Sequence, residues 1–147
     1  MAKRSFATLA TTSVRGRSHV AGVLYEIVDD VMYVSTLRSS RKARNVASNP
    51  YVGVVVPIRR LPVGPPSTVQ FQTEATVLGT DDAEIRRLVE AGDLKSITGH
   101  GELDLADSCF LRIAVPSRLL TYGLGMKIRQ LVADPLGAGG VSEFDQR

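Results

Sequence analysis

The stretch Val31-Met-Tyr-Val-Ser-Thr36, followed after Leu37 by Arg38-Ser-Ser-Arg-Lys-Ala-Arg-Asn45, decides how the rest of the chain is read. Its first half is an apolar strand ending in small hydroxyl residues. Its second half is a basic segment that Ser39 or Ser40 can cap as a helix to about Ser48, where Asn49-Pro50 stops it. No acidic side chain lies between Asp30 and Glu74, yet Arg38, Arg41, Lys42, Arg44, Arg59 and Arg60 fall inside that interval. The free N–H groups of a helix start and the positive end of its dipole add to those charges, so the junction suits an anion. A phosphate-bearing cofactor, a nucleic acid and a membrane surface are the anions to separate.

Working outward, Asp29-Asp30 joins residues 18–28 to 31–36 as a hairpin, and the turn Arg15-Gly16-Arg17 links residues 18–28 back to an apolar, Thr-rich run at 6–12. Downstream, residues 51–56 are apolar throughout, so a strand covered on both faces is expected there. Residues 68–78 alternate, with Val69, Phe71, Thr73, Ala75 and Val77 toward a core and Gln70, Gln72, Glu74 and Thr76 away from it. The apolar run 109–115 makes a sixth strand. A second helix is expected after Asp81, which stands at capping-box spacing from Glu84; its apolar stripe is Ile85, Leu88 and Val89, and Gly92 stops it. Three prolines stiffen the loop 59–67. The expected fold is mostly β, a six-stranded antiparallel barrel with short helices, as a single domain over 1–135. Residues 136–147, rich in glycine at first, are expected to be a flexible tail.

Composition narrows the function. The chain has 147 residues, 44% hydrophobic and 22% charged, which is the size and balance of one globular domain. No apolar run reaches the roughly 20 residues of a membrane helix, and Met1-Ala-Lys-Arg-Ser-Phe6 has no signal-peptide core, so a cytoplasmic protein without a membrane partner is expected. The single cysteine, Cys109, rules out a disulfide within the chain and a cysteine-cluster metal site; it reads as a small buried hydrophobe. A net charge of only +3, no Trp and few aromatics argue against nucleic acid as the partner. His19 and His100 are the only histidines and stand apart, and no nucleophile elbow, Walker loop or zinc-protease motif is present. No catalytic residue is assigned, and no metal ligand set. If the protein is an enzyme, a cofactor supplies the reactive atoms and the chain binds and orients it.

The strand and basic helix start, with Asn49-Pro-Tyr-Val-Gly-Val54 after them, resemble the flavin-binding split-barrel superfamily. That group includes the pyridoxamine 5′-phosphate oxidase-like proteins and the actinobacterial flavin/deazaflavin oxidoreductases. Phe6-Ala-Thr-Leu-Ala-Thr-Thr12, Gly16-Arg-Ser-His19 and Val23-Leu-Tyr25 are similar to its first hairpin, and the likeness returns at Phe110 to Pro116 and at Thr121-Tyr-Gly-Leu124. The element Lys42-Ala-Arg44-Asn45 is moderately specific in this context and weak alone. The resemblance implies a homodimer with two cofactor sites at the subunit interface, acting on a small molecule. It implies that Ser40, Arg41 and Lys42 hold a cofactor phosphate and that Asn45 supports their loop. Ser35 and Thr36 would line the ring or ribityl chain, His19 would stand near the ring, and Tyr122 would close the substrate side. Such proteins often have an amphipathic helix before the first strand; five residues precede Phe6 here, and residues 126–132 are the candidate to fill that wall.

Both FMN and coenzyme F420 carry a phosphate, and F420 adds a tail of further carboxylates. Two or three cationic donors satisfy one phosphate, so Arg44, Arg59 and Arg60 are surplus for FMN, which favours F420 with FMN as the alternative. The expected reaction is hydride transfer between reduced F420 and an enone, quinone, tetrapyrrole or nitro compound. A barrel that binds flavin, haem or lipid without turnover is the competing class.

Overall fold

The computed structural model of the chain describes residues 5–58, 67–123, 133 and 136–143. Eight strands are seen among them: β1 (Ser5–Thr12), β2 (Ser18–Val28), β3 (Val31–Leu37), β4 (Tyr51–Ile58), β5 (Ser67–Gly79), β6 (Ser108–Ala114), β7 (Arg118–Tyr122) and β8 (Gly139–Glu143). All pairings are antiparallel, in the order β4-β1-β2-β3-β6-β5-β7-β8. Because β4 also pairs with β5, the first six close into a barrel, and β7 and β8 extend the sheet outside it. The expected six-stranded antiparallel barrel is the fold. Closure leaves those six strands without free edges.

Register follows the alternation of side chains. Ala7, Leu9 and Thr11 of β1, Met32 and Val34 of β3, Val52 and Val54 of β4, Phe71 and Ala75 of β5, and Leu111 and Ile113 of β6 point inward and are buried. Asp29 and Asp30 make the β2–β3 turn with φ of 47° and 59°, the left-handed pair that a two-residue hairpin requires. The apolar run in β4 departs from expectation. Val52 and Val54 are in the core, but Tyr51 is 66% exposed, so within one chain the strand is covered on its inner face only.

Helix α1 (Arg41–Ser48) leaves the end of β3, and its Ala43 and Val46 belong to the barrel core. Helix α2 (Ala83–Ala91) and the short α3 (Lys95–Thr98) cover the outside of β3 and β6, burying Ile85, Leu88, Leu94 and Ile97 against Tyr33 and Phe110. The α2 cap is Asp82, whose carboxylate accepts the Glu84 N–H at 2.8 Å, rather than Asp81. Gly92 ends the helix with φ of 82°, in the left-handed region glycine favours. Of the segment expected as a tail, residues 139–143 form β8 alongside β7.

Candidate functional site

The junction of β3 and α1 is held from three directions. Ser40 caps α1, its Oγ accepting the Ala43 N–H at 3.3 Å, and the Thr36 and Ser40 hydroxyls are 3.2 Å apart. If Thr36 donates in that pair, the Ser40 proton is free for an anion in front of the helix. On the other side of the turn, Asp107 accepts from both the Ser39 hydroxyl and the Ser39 N–H, and the Arg38 N–H donates to the Asp107 carbonyl at 2.8 Å. Those Ser39 bonds, with Arg38 nearby, hold the Asp107 carboxyl below the usual carboxylate range. The third support is Asn45, buried in α1, whose Nδ2 donates to Thr11 Oγ1 of β1 at 2.9 Å. Among the described residues the N–H groups of Arg41 and Lys42 have no acceptor, as expected of the first turn of a helix.

The structure divides the predicted site between two concavities. Arg41, Arg44, Asn45 and His19 line one of about 440 Å³, together with Arg15 and Arg17 of the β1–β2 turn. Ser35 and Lys42 line a narrower cleft of about 170 Å³, whose other walls include Gly22 and Leu24 of β2 and Ser96, His100 and Glu102. Thr36 and Ser40 sit at the junction and line neither. Tyr122 lies on β7, paired with Thr68 and Gly139, and lines neither concavity. Arg59, Arg60 and residues 126–132 lie outside the described residues.

His19 points toward the barrel, opposite Thr11 in the β1–β2 register, and its Nδ1 is buried with no hydrogen-bond partner among the described residues. Cys109 is fully buried, and burial pushes its thiol pKa up, which fits the reading of an inert core residue. Among the described residues no group of His, Cys, Asp or Glu could hold a metal ion. No helix among them is long and apolar enough to cross a membrane.

Sequence reasoning missed Arg15 and Arg17, seen only as turn residues, and Asp107, which lies 68 positions from its partner Ser39. Only the register of β1 on β2 and of β3 on β6 brings these groups to α1.

A closed antiparallel barrel with a capped basic helix leaving its third strand defines a split-barrel fold. The pattern of the pyridoxamine 5′-phosphate oxidase family matches residues 1–115, and the chain belongs to that family. No curated protein matches it in sequence. Among solved structures it is similar in fold to HutZ, the haem storage protein of Vibrio cholerae, at 20% identity over 84% of this chain and 89% of that one, with a TM-score of 0.72. A haem-binding protein of Mycobacterium smegmatis superposes with a TM-score of 0.71 at 16% identity; 97% of this chain covers 54% of that one, so the chain spans about half of that protein. A pyridoxamine 5′-phosphate oxidase-related, FMN-binding protein of Nostoc punctiforme has a TM-score of 0.59 at 15% identity, over 84% and 76% of the two chains. At these identities the likeness is one of fold.

Proposed function

We propose that this chain is a cytoplasmic, homodimeric, F420-dependent oxidoreductase that exchanges a hydride with a small organic acceptor such as an enone, quinone, tetrapyrrole or nitro compound. The observation that carries the cofactor class is the start of α1, where the N–H groups of Arg41 and Lys42, without an acceptor among the described residues, lie beside the Ser40 hydroxyl, with the Lys42 side chain in the cleft on one side and that of Arg41 in the concavity on the other. That donor set suits a phosphate: an anion there gains charge-assisted hydrogen bonds of roughly 1.5–3 kcal/mol each. Bound F420 would supply the hydride; the chain's task is to hold the phosphate with Lys42 and the start of α1 and to seat the ring against β2 and β3 beside Ser35.

The cleft beside those residues, at about 170 Å³, is smaller than the roughly 300 Å³ at which small-molecule sites begin. A second subunit would complete its walls, and Tyr122 would serve the partner's site. The surface offered to that subunit is mainly apolar, with Gln70, Gln72 and Arg118 among its lining residues. Thr8, Ala10, Val20, Gly53, Val55 and Leu120 line an open depression of about 550 Å³ on the outside of the barrel, with Val20 63% and Leu120 52% exposed. Exposed apolar area of this kind favours association. The preference for F420 over FMN rests on the surplus of arginine around α1.

Titration of the purified protein with F420, FMN and haem, followed by absorbance and fluorescence, tests the reading. Tightest binding of F420, with oxidation of reduced F420 by one acceptor class, is the expected result. Tight FMN binding without F420 affinity replaces the cofactor. Tight binding without turnover across the acceptor panel moves the protein to the non-catalytic class. A stable monomer in sedimentation removes the interface site.

A further inference from the structure

The β1–β2 turn is built more rigidly than a surface connection needs to be. Ser13 N–H donates to the Arg17 carbonyl at 3.0 Å, Gly16 N–H to the Ser13 carbonyl at 2.9 Å, and Arg17 N–H to Ser13 Oγ at 3.1 Å. Gly16 takes φ of 73°, which a side chain would strain, and this fixes Arg15 and Arg17 on either side of it. Across the concavity, Arg41, Arg44, Asn45 and Ser48 share one stripe of α1, at helical spacings of three and four. Four guanidinium groups thus surround about 440 Å³, and among the described residues no carboxylate lines it. The ion pairs seen among the described residues, Arg112–Glu84 and Arg118–Glu143, lie elsewhere. Each guanidinium brings five N–H donors, more in total than one phosphate can accept.

We propose that this turn is a specificity element: Arg15 and Arg17 clamp a short chain of acid groups against Arg41 and Arg44. The ligand is a run of three or more carboxylates spaced several Å apart, not a single phosphate. The proposal rests on the cofactor reading for the identity of that ligand, the oligoglutamate tail of a deazaflavin whose phosphate sits at the start of α1. A single-stranded nucleic acid is the less suitable polyanion, because among the described residues no Phe, Tyr or Trp lines the concavity for a base to stack on.

The experiment compares F420 with the same phosphorylated deazaflavin lacking glutamates, and with γ-linked triglutamate alone, on the full chain and on the Arg15→Ala/Arg17→Ala variant. The parent protein should bind the tailed cofactor about tenfold more tightly, with a difference that shrinks as salt rises. The variant should bind both forms alike. Triglutamate alone should shift the backbone amide signals of residues 13–18 and 41–48 in the parent protein and leave them unmoved in the variant. Arg15→Gln alone, at the tip of the turn, repeats the measurement should the double variant lose its fold. Equal binding of the two deazaflavins by the parent protein overturns the clamp and leaves the cofactor reading standing. Triglutamate binding that depends on Arg15 and Arg17, with no affinity for either deazaflavin, supports the clamp and removes the cofactor. An oligonucleotide that binds more tightly than triglutamate at the same salt overturns the choice of ligand.

Discussion

The two sides of β3 treat charge in opposite ways. On the face under α2, Glu84 accepts hydrogen bonds from the Tyr33 hydroxyl and from Arg112 Nε, the latter at 3.0 Å, and the cluster of Tyr33, Phe110, Ile85 and Leu88 beneath is sealed. On the face beside α1, Arg15, Arg17, Arg41 and Arg44 have no acidic partner among the described residues. Paired charges over an apolar layer join one element to another, and their loss is felt in stability. Unpaired charges around a concavity contribute little to folding, and their loss is felt in binding. The barrel thus has a structural face and a receptive face, and substitutions on each should separate cleanly.

The largest effect belongs to the structural face. Phe110 is fully buried between the barrel and α2, so Phe110→Ala should cost about 3–5 kcal/mol, from lost transfer energy and the cavity left behind. Urea unfolding measures it; a loss under 1 kcal/mol means that α2 does not depend on this contact. Next comes the receptive face. Lys42→Ala should weaken cofactor binding 10- to 100-fold, the equivalent of roughly 1.5–3 kcal/mol for a charged hydrogen bond, with the midpoint in urea nearly unmoved. Unchanged affinity would remove Lys42 from the phosphate site.

A smaller effect tests the pairing itself. Burial, and then the hydrogen bond to Glu84, push the Tyr33 pKa up to about 12, from 10.0. The fold therefore favours the neutral phenol. That contribution is fully present below pH 10 and is lost as pH rises through about 12. Glu84→Gln should cost about 1 kcal/mol near neutral pH, since the ion pair is partly solvated, and should bring the Tyr33 titration closer to 10. Absorbance of the phenolate against pH checks this; an unmoved titration would assign the shift to burial alone.

The same contrast explains what could be read from the sequence. The barrel was legible because alternation in β5 and the Asp29-Asp30 turn are local signals, as is the Ser40 cap of α1. The strands β7 and β8 leave little local signal, being five residues each, and β8 begins at Gly139-Gly140. Asp81 and Asp82 are chemically alike, and only backbone geometry selects Asp82 as the α2 cap. For the site, the basic run was visible as composition, but its division was not. Consecutive residues of a helix diverge by about 100°, so Arg41 and Lys42 open into different concavities. Arg15 and Arg17 join the first of these only through strand register, which no local pattern encodes.

The smallest expected effect is the most discriminating. If the arginines of the receptive face serve a ligand, removing one relieves repulsion among like charges and leaves the fold intact. Arg41→Ala and Arg44→Ala should each shift stability by no more than about 0.5 kcal/mol, and toward greater stability. Added salt should stabilise the parent protein and narrow the gap, because screening does what the substitution does. On the structural face the sign reverses: Arg112→Ala strips Glu84 of its ion pair and should destabilise, more so at low salt. A matched pair of unfolding curves at two salt concentrations separates the two signs. Destabilisation by Arg41→Ala as large as that by Arg112→Ala would mean that α1 is held by charge after all. The unpaired arginines would then belong to the fold rather than to a ligand.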